Sequence, residues 1–568
     1  MIDTLKNRRH ILTVNLEDYF QVEPLSGAIP LRYWPRFDTR VERNVMASLD
    51  LLDECGAKAT FFTVGWIADK MPDVVREVAR RGHEVASKGY YHRSIQQMSR
   101  DEFRADVVQS KKALERATGQ AVDGYRIARG WFSQRDLWAL DILADEGFAY
   151  DSSLRQLGFT GVSGGRRDIP FVHNYEGKTI RELPLATWQF AGFSLPVSGG
   201  NYVRQLPDSF VRRRVANWIE QSDAPLVFYF HVWELDAEQP RITAVSMRNR
   251  VRQYRNLEQM PGRIRRYLKE YAFTTAGNHL GLAPRTVDVA PQVTSQVVAQ
   301  TGAARVRRPV TIVVPCYNEE NSLGYLKRTL DKFSADNAEM LDVQFVLVDD
   351  GSRDKTWEGM QAQFGESADC QLVRHPKNRG IAAACLTGIE AAKTETVCVI
   401  DADCSFDPAR LADMIPMLED GVDMVTASPY HRDGGVLNVP AWRLVLSKGA
   451  SQIYAHIMTN KLASYTACFR VYRRSTVVGM KLDNYGFTGI AEILARLDQS
   501  GARILECPAV LETRLLGVSK MKVARTIMEH AKLMTQLARG RMAPTERGGP
   551  LPPDSTKLAG GSANSHGG

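Results

Sequence analysis

The sequence predicts an α/β protein of two domains, and three observations carry that expectation. Apolar strands alternate with amphipathic helices along most of the chain, the later strands end in acidic or polar residues, and the composition shifts twice. Residues 282–308 are rich in Ala, Val, Thr, Gln and Pro without a period, which predicts a linker, and residues 541–568 are rich in Gly, Pro and Ser, which predicts a disordered tail. Domains of 1–281 and 309–540 remain.

In the first domain, residues 11–14, 59–64, 83–86 and 225–231 read as strands and residues 41–55 and 72–81 as helices. The last of these strands delivers His231 at its C-terminal end. In the second, an apolar run from Val310 meets the turn Pro315-Cys-Tyr-Asn-Glu319, the run 343–348 meets Asp349 and Asp350, and a small-residue helix over 381–393 leads into a strand ending at Ile400. Such alternation implies a parallel sheet or barrel, where functional side chains collect at the carboxyl ends of strands.

The 568 residues exceed what one core serves, and 44% hydrophobic with 24% charged content describes a soluble globular chain. No stretch approaches the roughly 18 to 20 apolar residues of a membrane span, and Asn15, Glu17 and Asp18 interrupt the N-terminal apolar run, so a cytoplasmic protein is expected. Eight cysteines without a CxxC pair read as reduced core thiols. The net charge of +8 is concentrated in Arg241–Arg266 and Lys520–Arg541, read either as solvated faces or as affinity for anionic lipid at the inner membrane; nothing suggests a nucleic-acid partner.

The chemistry centres on Val399-Ile-Asp-Ala-Asp-Cys-Ser-Phe-Asp-Pro408. Asp401 and Asp403 are alternate residues at a strand end, so both carboxylates leave on one face and converge on a hard divalent cation. Taken alone, the triplet equally caps the helix that Pro408 begins. Its place as the third polar strand end in an ordered series decides for the metal. The absence of G-x-G-x-x-G and G-x-x-x-x-G-K argues against a dinucleotide oxidoreductase or a P-loop ATPase.

The strings TVNLEDYFQV, ATFFTVGW, GHEVASKGYYHR, GYRIARGWFS, YDSSL and FYFHVWELDAEQPRI, spread over residues 10–275, resemble the polysaccharide deacetylase family. The resemblance implies a distorted (β/α) barrel that removes N-acetyl groups from sugars with a metal held by one carboxylate and two histidines, and an aspartate as base. Carried over by position, the base falls on Asn15, the first metal histidine on Lys88 and the second on His92; the carboxylate is Glu17 or Asp18, while Arg126 and His231 are kept. An amide does not take a proton from water, and an ammonium offers a cation no lone pair. A catalytically dead barrel is therefore expected, which leaves it as a glycan-binding or bracing module; a working hydrolase fused to a transferase is the alternative.

The set PCYNEE, VDDGSRDKT, NRGIAAA, DADCSFDP, CFRVYRR and GVSKMK, over about 310–530, resembles glycosyltransferase family 2, and within it enzymes similar to dolichol-phosphate mannose synthases. That implies a GT-A fold and inverting transfer from a nucleotide-diphosphate sugar. By position, Pro315, Tyr317 and Glu319 line the nucleotide, Asp350 lies near its base, and Asp401 and Asp403 hold Mg²⁺ or Mn²⁺. Arg514, Ser519 and Lys520 fall in the family's basic loop and bind a donor or acceptor phosphate, unless they simply begin the basic helix that follows. Cys468 stands where glycine is usual and the acid often found upstream is missing, leaving Glu492 as the candidate base. A polyprenyl phosphate acceptor, already ionised, needs none, whereas a glycan hydroxyl does. The helix expected over 521–537 docks on this domain or lies on a membrane surface.

Overall fold

The computed structural model describes residues 8–130, 132–154, 171–190, 193–196, 198–287, 307–517 and 523–540. The chain divides into two compact units, Met1–Arg241 with Val245–Val297, and Ile242–Ala244 with Val298–Gly568. Residues 285–287 still belong to the first: Ala121 N–H donates to the Arg285 carbonyl and Val287 N–H to that of Gly119, so the stretch expected as linker begins later than its composition suggests. The expected tail, 541–568, lies outside the described residues.

The first unit contains β1 (His10–Leu16), β2 (Thr60–Thr63), β3 (Glu84–Ser87), β4 (Gly124–Tyr125), β5 (Tyr150–Asp151), β6 (Phe171–Tyr175), β7 (Lys178–Glu182), β8 (Thr187–Phe190), β9 (Phe193–Pro196), β10 (Val227–His231) and β11 (Phe273–Thr274). Its main sheet runs β10-β1-β2-β3-β4-β5-β7-β6, with β11 also on β1. Every pair is parallel except β6 with β7. Among the described residues this ladder stays open, so the expected barrel is a half-barrel. β1 is buried along its whole length, as a parallel strand covered on both faces must be. The helix Arg100–Thr118 that covers this sheet is set by local chemistry: Ser99 and Glu102 form a reciprocal capping box, and Gly119 ends it in the left-handed conformation.

The second unit contains β12 (Arg308–Cys316), β13 (Leu341–Asp349), β14 (Cys370–Arg374), β15 (Thr396–Val399), β16 (Met424–Ser428), β17 (Gly435–Leu437), β18 (Arg470–Arg473), β19 (Ile504–Pro508) and β20 (Val510–Glu512). The main sheet runs β14-β13-β12-β15-β18-β16-β19, and only β18 is antiparallel to its neighbours. Alternation along each strand divides the core into two layers. Val313, Val397 and Val399 pack under the helices Ile381–Ala391 and Phe487–Gln499, whereas Ile312, Val314, Cys398 and Ile400 pack under Leu323–Asp336. All eight cysteines are free thiols, five of them buried.

Two histidines tie the strand starts of the first unit. His10 Nδ1 accepts from Leu226 N–H at 3.1 Å, and His83 Nδ1 accepts from Ala59 N–H at 3.2 Å. Protonation would turn each acceptor into a donor facing a donor. Burial, with the Arg8 cation beside His10 and the Lys58 cation beside His83, lowers both to about 4 from an ordinary 6.5. The folded unit thus holds both rings neutral while the unfolded chain takes up protons below pH 6.5, so stability falls as pH drops from 6.5 to 4. We expect a loss of about 2 kcal/mol for each ring across that window, read as weakened hydrogen-exchange protection of β1, β2 and β10 in the full chain. Protection that is flat from pH 7 to 4 would refute this.

Candidate functional site

In the second unit the carboxyl ends of β13, β12 and β15 lie side by side, because Cys316 is in register with Asp349 and Val313 with Val399. The turns that follow are laced together. Asn318, in the left-handed region at φ 53°, donates its N–H to Ser352 Oγ and accepts from Arg353 N–H, while Glu319 N–H donates to Thr356 Oγ1. Pro315 is the penultimate residue of β12, and Tyr317 is half-buried just beyond the strand.

Asp350 is an anchor. Its two oxygens accept from His375 Nδ1 at 2.7 Å, Asn378 Nδ2 at 3.0 Å, and the N–H groups of Arg379 and Gly380 at 2.8 Å each. What it offers a ligand is therefore the shape of the loop 375–380. Close approach demands glycine at both ends of this contact: a Cβ on Gly351 would stand 2.4 Å from the Lys377 carbonyl carbon, and one on Gly380 2.3 Å from the Tyr485 oxygen.

Asp403 Oδ1 accepts from Ser405 N–H at 2.9 Å and from Ser405 Oγ at 2.6 Å. Its other oxygen takes Arg514 Nε at 2.6 Å, and Arg514 Nη2 reaches Glu319 Oε1 at 2.8 Å. Burial pushes the Asp403 carboxyl up, but Arg514 and Ser405 outweigh it and hold the group below its ordinary range. Asp401, buried and next to the Asp403 charge, is pushed up to about 7. This is a pair of carboxylates short of a cation. Among the described residues no three His, Cys, Asp or Glu side chains assemble a metal cage. Two carboxylates that leave the rest of the shell to phosphate and water suit Mg²⁺ or Mn²⁺.

Glu492 lies elsewhere in role. At 1% exposure it accepts from the N–H groups of Asp483 and Asn484 at 2.7 and 2.9 Å and from Arg496 Nε at 2.9 Å, so both oxygens hold the loop that enters the helix Phe487–Gln499. Arg470, part of the CFRVYRR string but given no role in the sequence reading, is equally internal: it donates to the carbonyls of Ile490 and Tyr465. Ser519 and Lys520 lie outside the described residues.

In the first unit, Glu17 follows β1, Lys88 follows β3, and His231 ends β10 opposite Asn15. The Glu17 carboxylate meets His92 Nε2 and His231 Nδ1 at 2.5 Å each, Lys88 Nζ at 3.3 Å and Trp233 Nε1 at 3.3 Å. Asp18 turns away and accepts from Tyr19 N–H, Thr39 Oγ1 and Arg40 N–H. Of the two carboxylates that the sequence left open, Glu17 is the one facing the histidines. Burial pushes Glu17 up, yet Lys88, His92 and His231 together bring it well below its ordinary value. Burial lowers Lys88, which Glu17 partly offsets. Arg126 donates to Thr13 Oγ1 at 2.9 Å, to Ser152 Oγ at 2.8 Å and to Asn15 Oδ1 at 3.4 Å, so the Asn15 amide oxygen faces a cation.

Residues 311–478 match the family described as glycosyl transferase family 2, residues 34–145 match polysaccharide deacetylase, and residues 152–280 match a domain of unknown function, DUF3473. The chain thus carries, in order, a match to polysaccharide deacetylase and a match to glycosyl transferase family 2. It is 30% identical over 232 residues to a dolichol-phosphate mannosyltransferase of Pyrococcus furiosus, covering 40% of this chain and 63% of that relative. It is 28% identical over 240 residues to a polyprenol monophosphomannose synthase of Mycolicibacterium smegmatis, covering 41% of this chain and 88% of the relative. A solved structure of a polysaccharide deacetylase described as such from Mycobacterium smegmatis aligns over 50% of this chain and 94% of that one, with 20% identity and a TM-score of 0.34.

The transferase-family unit yields a direct test of Glu492. Glu492→Gln removes the charge that Arg496 and two backbone donors face, and we expect a stability loss of about 3 kcal/mol, with exchange protection lost at residues 483–486. Intact protection with a selective fall in turnover would instead mark Glu492 as a proton acceptor.

Proposed function

We propose that the second unit transfers a sugar, with inversion, from a nucleotide-diphosphate donor to a polyprenyl phosphate, using Mg²⁺ or Mn²⁺ held by Asp401 and Asp403. The observation that carries this reading is the meeting, beyond the adjacent parallel strands β12 and β15, of Glu319 and Asp403 on Arg514, with the Asp401 charge beside them. When bound, the cation supplies neutralising charge for the leaving nucleoside diphosphate. The chain's own residues do the positioning. Asp350 shapes the loop beside the nucleotide, Pro315 and Tyr317 lie at the end of β12 where they would line it, and Glu492 fixes the loop before the helix Phe487–Gln499. A phosphate acceptor arrives ionised, so the engagement of both Glu492 oxygens is no obstacle, whereas a glycan hydroxyl would need a base. The names of the two relatives make a mannosyl donor the first to try.

The surface of this unit favours an acceptor in a membrane. No helix among the described residues is long and apolar enough to cross one. The helix Ala441–Ile457, however, turns Trp442, Val445, Leu446 and Ile453 outward along one side, Val445 at 70% exposure, with Arg443 and Lys448 among them. The helix Val523–Ala538 buries Leu533 and Leu537, links His530 to Tyr454 at 2.8 Å, and leaves Ile527 and Met528 outward. Apolar side chains edged by cations suit the head-group region of an anionic bilayer. With nucleotide sugars, Mn²⁺ and vesicles containing polyprenyl phosphate, we expect transfer to lipid that falls at least 100-fold in Asp403→Asn; unchanged turnover in that variant would defeat the assignment.

We further infer that the first unit performs no metal-dependent deacetylation and serves as a glycan-binding or bracing module. What supports this is Lys88: its ammonium stands against Glu17 where a metal would need a ligand, and Asn15 gives no base. The full chain should bind no Zn²⁺ at Glu17 and release no acetate from N-acetylated sugars, while Lys88→His, which removes the ammonium and adds an imidazole beside Glu17, His92 and His231, should bind Zn²⁺. Metal-dependent acetate release by the unaltered chain would favour the bifunctional reading.

A further inference from the structure

The contact that invites explanation is Arg514. Its guanidinium is four-fifths buried and bridges Asp403 and Glu319, two of the acids that a metal-bound donor would meet. The bridge is built in. β20 pairs with β17, Glu512 N–H donates to the Ser405 carbonyl at 2.9 Å, and Thr513 bonds the carbonyls of Leu437 and Asn438, so the backbone just before Arg514 is tied along the Asp403–Phe406 turn. Asp403, already held by Ser405 on its other oxygen, has little freedom to leave the guanidinium.

We propose that Arg514 is a placeholder cation that makes metal binding conditional on the nucleotide. This rests on the reading of the second unit as a metal-dependent transferase. Glu319, Asp401 and Asp403 can carry three negative charges against one positive charge on Arg514. A bare divalent cation that takes Asp403 must strip that carboxylate from Arg514 and so break a largely buried charge pair, which is costly. A cation that arrives with a nucleoside diphosphate brings phosphate oxygens, and the guanidinium exchanges a carboxylate for a phosphate with its planar fork still satisfied. The metal alone is discouraged and the metal–nucleotide complex is admitted. Arg514 is thus a positioning residue in the empty site and a phosphate ligand in the filled one.

The test is Mn²⁺ binding to the full chain, followed by the electron paramagnetic resonance signal of free Mn²⁺, without nucleotide and with GDP or UDP. In Arg514→Gln, Mn²⁺ without nucleotide should bind at least 10-fold more tightly than in the unaltered chain, and Mn²⁺ with nucleoside diphosphate more weakly. Arg514→Lys, which keeps the charge but not the fork, should fall between, and adding Asp403→Asn to Arg514→Gln should abolish the gain. If Arg514→Gln leaves nucleotide-free Mn²⁺ affinity unchanged while the unaltered chain still binds Mn²⁺ with a nucleoside diphosphate, the placeholder is overturned and the transferase reading stands. If the unaltered chain binds no Mn²⁺ with either nucleotide, both fall.

Discussion

A carboxylate taken out of water needs a cation or a full set of hydrogen-bond donors, and the central site of each unit follows from how a cation is supplied. In the first, Glu17 meets Lys88, His92 and His231, and the cation is part of the chain. In the second, Asp403 and Glu319 share Arg514, a cation on the segment that leaves β20. The difference is one of depth. Lys88 follows a central strand of a parallel sheet and is buried with its partner, whereas Arg514 extends from a short two-stranded ribbon and is less deeply buried with Asp403.

The rest of the second unit serves that site by rigidity. Hydrophobic strands buried on both faces set the heights at which Glu319, Asp350 and Asp401 emerge. Two further buried carboxylates then fix the rim: Asp350 gathers the loop 375–380 and Glu492 gathers residues 483–484. These loops meet each other where Gly380 touches Tyr485, so the Asp350 and Glu492 anchors form one continuous frame. Carboxylates that look alike in sequence thus differ in what they gather: Asp350 and Glu492 each fix a loop, whereas Asp403 and Glu319 share Arg514.

Much of this was legible in the chain itself. The alternation of Val313 with Ile312 and Val314, and of Val397 with Cys398, predicts strands covered on two faces, and the structure places them so. The antiparallel insertion of β18 was not legible, because Arg470 interrupts an apolar pattern that a four-residue strand is too short to establish. Neither was the choice between Glu17 and Asp18. They are adjacent, and which one faces His92 depends on the turn at which Thr39 and the Arg40 backbone capture Asp18.

Resemblance to the deacetylase family set Asn15 and Lys88 where that family carries a base and a metal histidine. The sequence by itself determined the two α/β units, the order of polar strand ends, and the pairing of Asp401 with Asp403 at a strand end. Those are properties of period and residue type, which neighbours in the chain settle. Only the tertiary structure decided that Lys88 reaches Glu17, that Asp350 and Glu492 are bound to backbone, and that Arg514 spans Asp403 and Glu319. Residues 319, 403 and 514 are far apart along the chain. Whether their charges oppose or complete one another is a matter of distance, and strand register sets it.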